Sequence, residues 1–319
     1  MIMHEKLRVI FFGTPDFAVP SLYAIHESGY TLAAVITQPD RPKGRGQKVK
    51  NTPVKEAALN IGIPVYQPVT IKEDSFIDLL AELLPDLIVV VAFGQILPKR
   101  VLGLPRFGCI NVHASLLPSY RGAAPIHWAV INGESQTGIT TMLMDTGLDT
   151  GDMLLSERVA IPPEITTGEL HDALAQTGAK LLIKTIELWR NGQLQPVSQK
   201  GLASSYAPLL KREHELINWE KPAESIYNQI RGLQPWPGAF TFFQGNQLKI
   251  TEAKLYCEEA VTAKPGTVLE LLKGRGFVIQ TGQGSIAVNF VQPHGKKIMP
   301  ADSFVNGYHL EVGYVFGAS

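Results

Sequence analysis

The sequence has very few cysteines and no long apolar run. Its two cysteines, Cys109 and Cys257, lack a Cys-x-x-Cys spacing and a nearby pair of histidines, so we predict reduced, structural thiols. No apolar stretch approaches the ~20 residues that a membrane-spanning helix needs. The charged residues of the segment 1–8 precede a short apolar strand, which does not fit a signal peptide. We therefore expect a cytoplasmic protein with no membrane partner.

The chain also lacks an excess of charge of either sign. Lys plus Arg and Asp plus Glu each number 29, so net charge gives no indication of a nucleic-acid partner, and any basic surface must be local. Hydrophobic residues make up 45% and charged residues 18% of the chain, which is typical of a folded globular protein. A length of 319 residues is sufficient for two domains.

The nucleotide-binding motifs that often accompany a β-α-β unit are missing. The chain opens with such a unit, predicted as a strand over 9–12, a helix over 16–27 and a strand over 31–37. The connection from Gly13 to Ala18, however, lacks the second and third glycines of a dinucleotide-binding loop, and no Gly-x-x-x-x-Gly-Lys motif occurs. We therefore predict neither a nicotinamide or flavin cofactor nor ATP.

Strand and helix patterns alternate as far as Gly192. This alternation predicts an α/β domain over residues 1–192, with a doubly wound, mostly parallel sheet. Residues 193–207 are polar and contain Ser, Gly and Pro, and we interpret them as a linker. From 208 to 319, a helix and short strands separated by glycine-containing turns predict a small β-barrel of the oligonucleotide-binding (OB) type. The other predicted elements are helices at 53–60, 73–84, 125–131, 167–190 and 222–231, and strands at 87–91, 109–112, 140–144, 240–243, 248–255, 266–272, 277–281 and 286–290.

A pair of polar residues stands at the end of one predicted strand. Asn111 and His113 alternate with Ile110 and Val112, so the polar side chains face one side and the apolar ones the other. In an open α/β sheet, ligands bind beyond the carboxyl ends of the strands. An amide donor beside a titratable imidazole suits chemistry at a carbonyl, since the amide can hold an oxyanion while the imidazole moves a proton. Taken alone, such a pair more often satisfies backbone groups in a turn, so the surrounding motifs decide between the two interpretations.

The loop over 145–152 contains three carboxylates among glycines. It lacks the glutamate at the twelfth position of a calcium-binding loop, so we expect no metal. For Asp145 and Asp152 we predict turn and capping roles. A carboxylate beside an imidazole can also fix the orientation of the ring, which leaves a catalytic role open for the third one.

The segment from Gln38 to Lys50 concentrates positive charge. It has two prolines, two glycines and five basic residues, opposed only by Asp40. One interpretation is a solvated surface loop, and the other is a segment that contacts nucleic-acid phosphates. The basic residues are Arg41, Lys43, Arg45, Lys48 and Lys50.

Several motifs, in a fixed order, resemble those of the folate-dependent formyltransferases. They are Asn111-Val112-His113, Ser115-Leu116-Leu117-Pro118, Arg121-Gly122 and Asp145-Thr146-Gly147-Leu148-Asp149-Thr150-Gly151. Two more, Phe12-Gly13-Thr14-Pro15-Asp16-Phe17 and Thr37-Gln38-Pro39-Asp40-Arg41-Pro42, are similar to motifs of those members of the family that act on an aminoacyl-tRNA. The resemblance covers nearly the whole chain and is stronger before Gly192 than after it.

The resemblance implies that Asn111, His113 and Asp149 are catalytic, with Asp149 orienting the imidazole. It further implies a folate site and a tRNA-binding loop, in which Arg45 is our strongest candidate. The folate-site residues are Phe93, Gly94, Gln95, Ile96, Ser115, Leu116, Leu117 and Pro118, and the tRNA-binding residues are Arg41, Lys43, Arg45, Lys48 and Lys50. The expected reaction is transfer of the formyl group of 10-formyltetrahydrofolate to the amino group of methionyl-initiator tRNA, by a monomer and without a metal.

The resemblance also assigns tRNA binding to the domain at 208–319. Within it, Gln234-Pro235-Trp236-Pro237 is similar to an Asn-Pro-Trp-Pro segment of the family, with Gln in place of Asn, and we interpret Trp236 as a core anchor. The lysines of this domain are equally compatible with a basic face and with a solvated surface. His127, on the predicted helix at 125–131, is interpreted as a packed or surface residue.

Two alternative functions are compatible with these patterns. The first is a formyltransferase on the same scaffold that acts on a small amine, such as an amino sugar nucleotide or glycinamide ribonucleotide. The basic segment and the C-terminal barrel argue against it, because a small acceptor needs neither. The second is a non-catalytic RNA-binding protein, and the intact set of Asn111, His113 and Asp149 argues against that.

Overall fold

The computed structural model describes residues 6–43, 48–257 and 263–317. The chain forms two compact units, each assembled from separate stretches. The first unit contains residues up to Pro125, Thr137–Ala160 and His171–Ala207. The second contains Ile126–Gln136, Ile161–Leu170 and the residues from Pro208 onward.

The secondary structure alternates in the first part of the chain and is dominated by strands in the last. The strands up to residue 207 are β1 (Arg8–Gly13), β2 (Thr31–Ile36), β3 (Arg41–Lys43), β4 (Lys48–Lys50), β5 (Val65–Tyr66), β6 (Leu87–Val91), β7 (Cys109–His113), β8 (Arg121–Gly122), β9 (Gln136–Leu143), β10 (Met153–Ala160) and β11 (Tyr206–Ala207). The later strands are β12 (Phe240–Phe243), β13 (Asn246–Cys257), β14 (Val268–Leu272), β15 (Gly276–Gln280), β16 (Ser285–Pro293) and β17 (Met299–Pro300). The helices are α1 (Val19–Glu27), α2 (Pro53–Asn60), α3 (Asp74–Glu82), α4 (Lys99–Leu102), α5 (Pro125–Ile131), α6 (Thr167–Arg190), α7 (Arg212–Glu215), α8 (Ala223–Gly232) and α9 (Ala301–Tyr308).

A seven-stranded sheet forms the centre of the first unit, in the order β10-β9-β7-β6-β1-β2-β5. The pairs from β7 to β5 are parallel. Strand β9 pairs with β7 in the antiparallel direction, with Asn111 opposite Met142. The predicted doubly wound, mostly parallel sheet is therefore confirmed, and β9 and β10 extend it on the β7 side.

The central strands are hydrophobic on both faces because helices cover both sides of the sheet. All five residues of β6, Leu-Ile-Val-Val-Val, are buried, as the unbroken apolar run predicts. On one face, Ile10 and Ile88 pack with Phe76 and Leu80 of α3. Cys109 is buried at the start of β7, and burial raises the pKa of its thiol to about 12, which is consistent with the structural role predicted for it.

The carboxyl ends of β1 and β6 mark the point where strand order reverses. From β1 the chain proceeds through β2 and β5 on one side, and through β6 and β7 on the other. In doubly wound sheets, this reversal opens a crevice that binds ligands. The loops at this edge are hydrogen-bonded together, since the Phe93 carbonyl accepts from Thr14 Oγ1 at 3.0 Å and from Gln38 Nε2 at 3.3 Å.

The second unit contains an antiparallel sheet in the order β12-β13-β16-β15-β14, with β17 paired to β16. Its core is rich in aromatic side chains, including Phe243, Phe277 and Phe304, and also contains Trp219. Phe304 comes from α9, a helix that the sequence patterns did not predict. The predicted C-terminal domain, with a helix near its start followed by short strands, is confirmed as an antiparallel sheet with helix α8 before it.

Residues 193–207, predicted as a linker, are part of the first unit. Val197 exchanges backbone hydrogen bonds with Met153. Tyr206 and Ala207 form β11, which pairs in parallel with β8. The structure differs from the prediction because these polar residues are anchored by hydrogen bonds to distant segments, which composition alone does not indicate. Among the described residues, no helix combines the length and apolar character needed to cross a bilayer.

Candidate active site

Asn111 and His113 lie toward the carboxyl end of strand β7, at the edge where doubly wound sheets bind ligands. Its apolar residue Val112 faces the other way and packs against α6 at Gly178, where an added Cβ would lie 3.0 Å from Val112 Cγ1. Asn111 and His113 are 9% and 6% exposed, so only a small part of each reaches solvent. Within the described part of the chain, the Asn111 amide makes no hydrogen bond, so its donors are available to a ligand. The predicted strand is confirmed as β7 (Cys109–His113), and strand alternation places the two polar side chains on one face of it.

The ring of His113 is oriented by a backbone carbonyl. His113 Nε2 lies 3.0 Å from the carbonyl oxygen of Tyr120. A carbonyl oxygen can only accept a hydrogen bond, so Nε2 must carry the hydrogen. In a neutral ring, Nδ1 is then the basic nitrogen. The backbone of Tyr120 has a φ of 59°, a left-handed conformation that residues other than glycine seldom adopt.

Asp149 lies on the Nδ1 side of the ring. Its Oδ2 is 3.7 Å from His113 Nδ1, and its side chain is 14% exposed. The same oxygen accepts a hydrogen bond of 2.8 Å from the backbone N–H of Gly122. The backbone of Asp149 is left-handed, with a φ of 53°. The structure therefore places the carboxylate of Asp149 beside the imidazole of His113, and Asn111 lies two residues before His113 on β7.

A glycine is needed where β8 passes between β11 and Asp149. Gly122 has a φ of 114°, and an added Cβ would lie 2.8 Å from the carbonyl oxygen of Ala207. This close approach lets the N–H of Gly122 reach the Asp149 carboxylate while β8 pairs with β11. The Arg121-Gly122 motif thus contributes to the site through its backbone.

Gln199 is a site residue that the sequence patterns did not indicate. It is 3% exposed, and its amide donates to the carbonyl oxygens of Asp149 at 3.1 Å and Gly151 at 2.6 Å. Its Oε1 accepts two hydrogen bonds from the buried guanidinium of Arg121. Because Gln199 lies in the polar stretch interpreted as a linker, only its contact with Asp149 identifies it.

The other acidic residues of the 145–152 loop are away from the imidazole contact. Asp145 Oδ1 accepts from Gly147 N at 3.0 Å and from Thr150 Oγ1 at 2.7 Å, which confirms its predicted role in a turn. The carbonyl of Asp152 accepts a backbone hydrogen bond from Leu143, and its side chain is exposed. Within the described ranges, no group of three or more His, Cys, Asp or Glu side chains is arranged to hold a metal ion.

The segment at 93–96, predicted to contact folate, presents two kinds of residue. Phe93 is buried and packs edge to face on Phe12, so its side chain belongs to the core. Gln95 is held by Ile71 N and the Val69 carbonyl. Gly94 is exposed, with a φ of 89°, and Ile96 is 67% exposed. The surface that this segment offers to a ligand thus comes from Gly94 and Ile96.

The segment at 115–118 is held in place by hydrogen bonds of its buried residues. Ser115 is fully buried, and its hydroxyl donates to the Ser119 carbonyl at 2.6 Å. Leu117 is also buried, and its N–H donates to Thr140 Oγ1. Leu116 and Pro118 are half-buried and are the members that keep exposed surface.

The basic segment after β2 contains two short strands, β3 and β4, where the sequence predicted a loop. Their antiparallel register places Arg41 opposite Lys50 and Lys43 opposite Lys48. Arg45, our strongest tRNA-binding candidate, lies outside the described residues. Asp40, at the start of the segment, is paired with Lys55 and accepts from Gln67 Nε2 at 2.8 Å. The hydrogen bond from Lys55 holds the pKa of the Asp40 carboxyl below its usual value.

Two aromatic positions of the second unit complete the set of predicted residues. The interpretation of Trp236 as a core anchor is wrong, because its side chain is 46% exposed and the core is filled by other rings. Trp236 instead packs edge to face with His127, with ring centroids 6.0 Å apart. His127 is thus a packed residue, as predicted.

Comparison with known families gives matches along most of the chain. The model of the formyl transferase family matches residues 6–186, and the model of the C-terminal domain of formyl transferase matches residues 209–309. The chain is 55% identical over 312 residues to the methionyl-tRNA formyltransferase of Pelotomaculum thermopropionicum, covering 98% of this chain and 99% of the relative. It is 54% identical over 312 residues to that of Moorella thermoacetica, with the same shares covered.

Solved structures share the fold at lower sequence identity. An N-formyltransferase from Helicobacter canadensis, solved with folinic acid and dTDP-3-aminofucose, superposes with a TM-score of 0.64 at 21% identity, covering 90% of this chain and all of that one. HypX from Aquifex aeolicus, solved with tetrahydrofolic acid, gives a TM-score of 0.64 at 18% identity, covering 97% of this chain and 48% of that one. From the family models and the relatives of more than half identical sequence, we conclude that this chain belongs to the formyl transferase family, in the group of the methionyl-tRNA formyltransferases.

Proposed function

We propose that this protein transfers the formyl group of 10-formyltetrahydrofolate to the amino group of methionine on methionyl-initiator tRNA. The observation that supports this most directly is the arrangement around His113, which has Asp149 beside Nδ1 and the Tyr120 carbonyl beside Nε2. Asn111, with its uncommitted amide, stands two residues before it on the same strand. Relatives that share about half of the sequence are named for formylation of methionyl-tRNA.

In the proposed reaction, the neutral amine of the methionyl group attacks the formyl carbon. A C–N bond forms, and the carbonyl oxygen becomes an oxyanion of a tetrahedral intermediate. The amide of Asn111 donates a hydrogen bond to this oxyanion, and one such donor is worth about 10²–10³ in rate in comparable sites. The bond from the formyl carbon to the folate nitrogen then breaks, and the carbonyl re-forms on the methionine amine.

Proton transfer is the task that we assign to His113. The attacking amine must lose a proton, and the departing folate nitrogen must gain one. Because the Tyr120 carbonyl fixes the hydrogen on Nε2, the basic nitrogen is Nδ1, which can take the proton and return it. The carboxylate of Asp149, 3.7 Å from Nδ1, stabilises the imidazolium formed in between.

For the folate, we propose a slot bounded by the segments 93–96 and 115–118. A flat heterocycle needs apolar surface and a few backbone hydrogen-bonding groups. Gly94, Ile96, Leu116 and Pro118 offer such surface, while the buried Phe93, Ser115 and Leu117 and the hydrogen-bonded Gln95 keep the two segments in shape.

For the tRNA, we propose contacts from the basic segment and from the C-terminal domain over 208–319. Arg41 and Lys50 are exposed and stand directly opposite each other across β3 and β4. Like charges in opposite positions of an antiparallel pair repel, and a phosphate between them relieves that repulsion. Lys43 and Lys48 share this register, and Arg45 lies between the two strands in the sequence. With a substrate drawn from translation, the expected setting is the cytoplasm, and we expect the protein to act as a monomer.

An acceptor assay tests this function. The protein is incubated with formyl-labelled 10-formyltetrahydrofolate and with charged initiator tRNA, an amino sugar nucleotide or glycinamide ribonucleotide, each at equal concentration. We expect label on the methionyl-tRNA alone. Label on a small amine instead would replace the proposed acceptor, and no transfer to any acceptor would contradict the assignment of a catalytic role to Asn111, His113 and Asp149.

A further inference from the structure

The side chain of Gln199 makes four hydrogen bonds to described residues of the first unit, and all of them lead to the candidate site. Its two amide hydrogens go to the carbonyls of Asp149 and Gly151, at 3.1 and 2.6 Å. Its oxygen accepts from Arg121 Nε at 3.1 Å and from Arg121 Nη2 at 2.7 Å. At 3% exposure, Gln199 has no access to a large ligand such as folate or tRNA. Its side chain therefore acts on other parts of the protein.

The hydrogen bonds from Gln199 to Asp149 and Gly151 hold a turn whose backbone conformation is unfavourable for a residue with a Cβ. Asp149 has a φ of 53°, and residues with a Cβ seldom adopt this region unless their surroundings impose it. Gly151 is in a very close approach, because an added Cβ would lie 1.7 Å from the Leu143 carbonyl. The two hydrogen bonds from Gln199 hold both ends of this turn and so fix the direction in which the Asp149 side chain leaves the backbone.

The bonds to Arg121 connect the same turn to the other side of the imidazole. Arg121 stands between Tyr120, whose carbonyl orients His113 Nε2, and Gly122, whose N–H holds the Asp149 carboxylate. Ser205 fixes this stretch from behind, since its Oγ accepts from Tyr120 N and its carbonyl from Arg121 N, both at 2.9 Å. Gln199 thus joins the two segments that approach His113 from opposite sides.

We propose that Gln199 is a positioning residue for formyl transfer, which keeps the Asp149 carboxylate beside His113 Nδ1. This inference rests on the proposed function, because it takes Asp149 to act through the imidazole. The stretch 199–205, interpreted from its sequence as part of a linker, thereby has a second role. Its residues Gln199 and Ser205 hold the backbone segments that keep Asp149 beside His113.

Two substitutions test the hydrogen bonds of the Gln199 side chain. Gln199→Glu keeps an oxygen for Arg121 but replaces the donors with an acceptor that faces two carbonyls. Gln199→Met removes both halves at nearly constant volume. Loss of an outer partner of this kind typically costs about 10–100-fold in activity in metal sites, and we expect a kcat loss in that range for both variants, with KM for tRNA within about twofold of wild type.

A cycle with Asp149 distinguishes positioning from general damage to the fold. If Gln199 acts through Asp149, then Gln199→Met should cost nothing further in a protein that already carries Asp149→Ala. An equal fold-loss in both backgrounds, or an unchanged kcat in the single variant, would overturn the proposal. Gln195→Met is the matched control, because Gln195 lies in the same stretch, is exposed, and should leave kcat unchanged.

A readout without turnover keeps this proposal separate from the proposed function. In protein labelled with ¹⁵N-histidine, the His113 resonances, assigned with His113→Gln, should show hydrogen on Nε2 in the wild type. We expect the Nδ1 resonance to move in Gln199→Met and Gln199→Glu and to stay in Gln195→Met. If the wild type formylates no acceptor, the proposed function is contradicted, but the NMR test of Gln199 can still be carried out because it requires no turnover. An unmoved Nδ1 resonance in a folded Gln199 variant would overturn the positioning role itself.

Discussion

The strand β7 and the loop at 145–152 both contribute residues to the candidate site, but their backbones are held in place differently. On β7, strand alternation places Asn111 and His113 on one face, and the neighbouring strands β6 and β9 hold the backbone. In the loop, Asp149 has a left-handed backbone and is held by Gly122 and Gln199, which are 27 and 50 residues away in the chain.

The difference shows two routes to a fixed side chain. A strand position is set by local geometry and a continuous ladder of backbone hydrogen bonds, so a single change nearby alters it little. A loop position such as that of Asp149 depends on a few bonds from distant segments, and the loss of any one of them should alter the geometry. The β7 half of the site should therefore be sensitive to changes of its own side chains, and the loop half to changes elsewhere.

The largest effect is expected for His113→Gln. Removing the imidazole abolishes the proton transfer that we assign to it, and general acid–base catalysis is worth about 10²–10⁴ in rate. We expect a kcat loss in that range with tRNA affinity nearly unchanged, measured by single-turnover formyl transfer and by direct tRNA binding. A parallel loss of tRNA binding would show that His113 supports the structure rather than the reaction.

Gly122→Ala tests the loop half from a distance. The added Cβ would lie 2.8 Å from the Ala207 carbonyl, at a φ of 114°, so β8 must move and its N–H must leave the Asp149 carboxylate. We expect about a 10–100-fold loss in kcat, by analogy with the loss of outer partners in other sites, together with a lower melting temperature. Gly192→Ala is the matched control, because Gly192 also has a positive φ but an added Cβ there meets no neighbour. If both variants lose only stability, Gly122 has no special connection to Asp149.

The sequence predicts the strand half of the site well, because its determinants are local. The run at 87–91 coincides with β6, and the alternation of residues 109–113 orients Asn111 and His113 as found. Helix α2 begins as predicted, with Thr52 Oγ1 accepting from Lys55 N at 3.2 Å and Pro53 in the first turn. Each of these features depends on neighbours within a few residues.

The loop half is largely invisible to sequence reasoning. The role of Asp149 follows only from the resemblance to a family, since three carboxylates in one loop are equivalent by composition. Gln199 looks like a residue of a polar linker, because its partners are 48 to 78 residues away. Similarly, the sequence patterns indicate neither the exposed position of Trp236 nor the helix α9, which contains Gly307.

A smaller effect, confined to substrate binding, is expected from the basic segment. Replacing Arg41 and Lys50 together with Ala removes two exposed cations that stand opposite each other and lie in neither half of the site. We expect weaker tRNA binding and a salt dependence of log K reduced by about 0.7–0.9 for each phosphate that the segment no longer neutralises, with kcat at saturating tRNA unchanged. Lys72→Ala, an exposed lysine elsewhere in the unit, should not alter either quantity. An unaltered salt dependence in the double variant would remove this segment from the tRNA site.

The smallest effect concerns Asp40, a carboxylate that, unlike Asp149, is paired with a cation. The hydrogen bond from Lys55 lowers the pKa of Asp40, so the folded protein favours its ionised form. The resulting stability is fully present above the unfolded-state value of about 3.9 and is lost as the pH falls through the lower folded pKa. We expect Lys55→Met to destabilise the protein at pH 6 and to do so less at pH 3, by denaturant unfolding. Lys184→Met, on the exposed face of α6, is the control. A destabilisation that is the same at both values would exclude the ion pair as its source.

The most direct test of the account measures whether His113 and Asp149 act as one unit. Single-turnover formyl transfer to methionyl-tRNA is compared for wild type, His113→Gln, Asp149→Asn and the double variant, each checked for intact folate and tRNA binding. Because Asp149 is taken to act only through the imidazole, the double variant should be no slower than His113→Gln alone. A double variant whose loss equals the product of the two single losses would contradict the account.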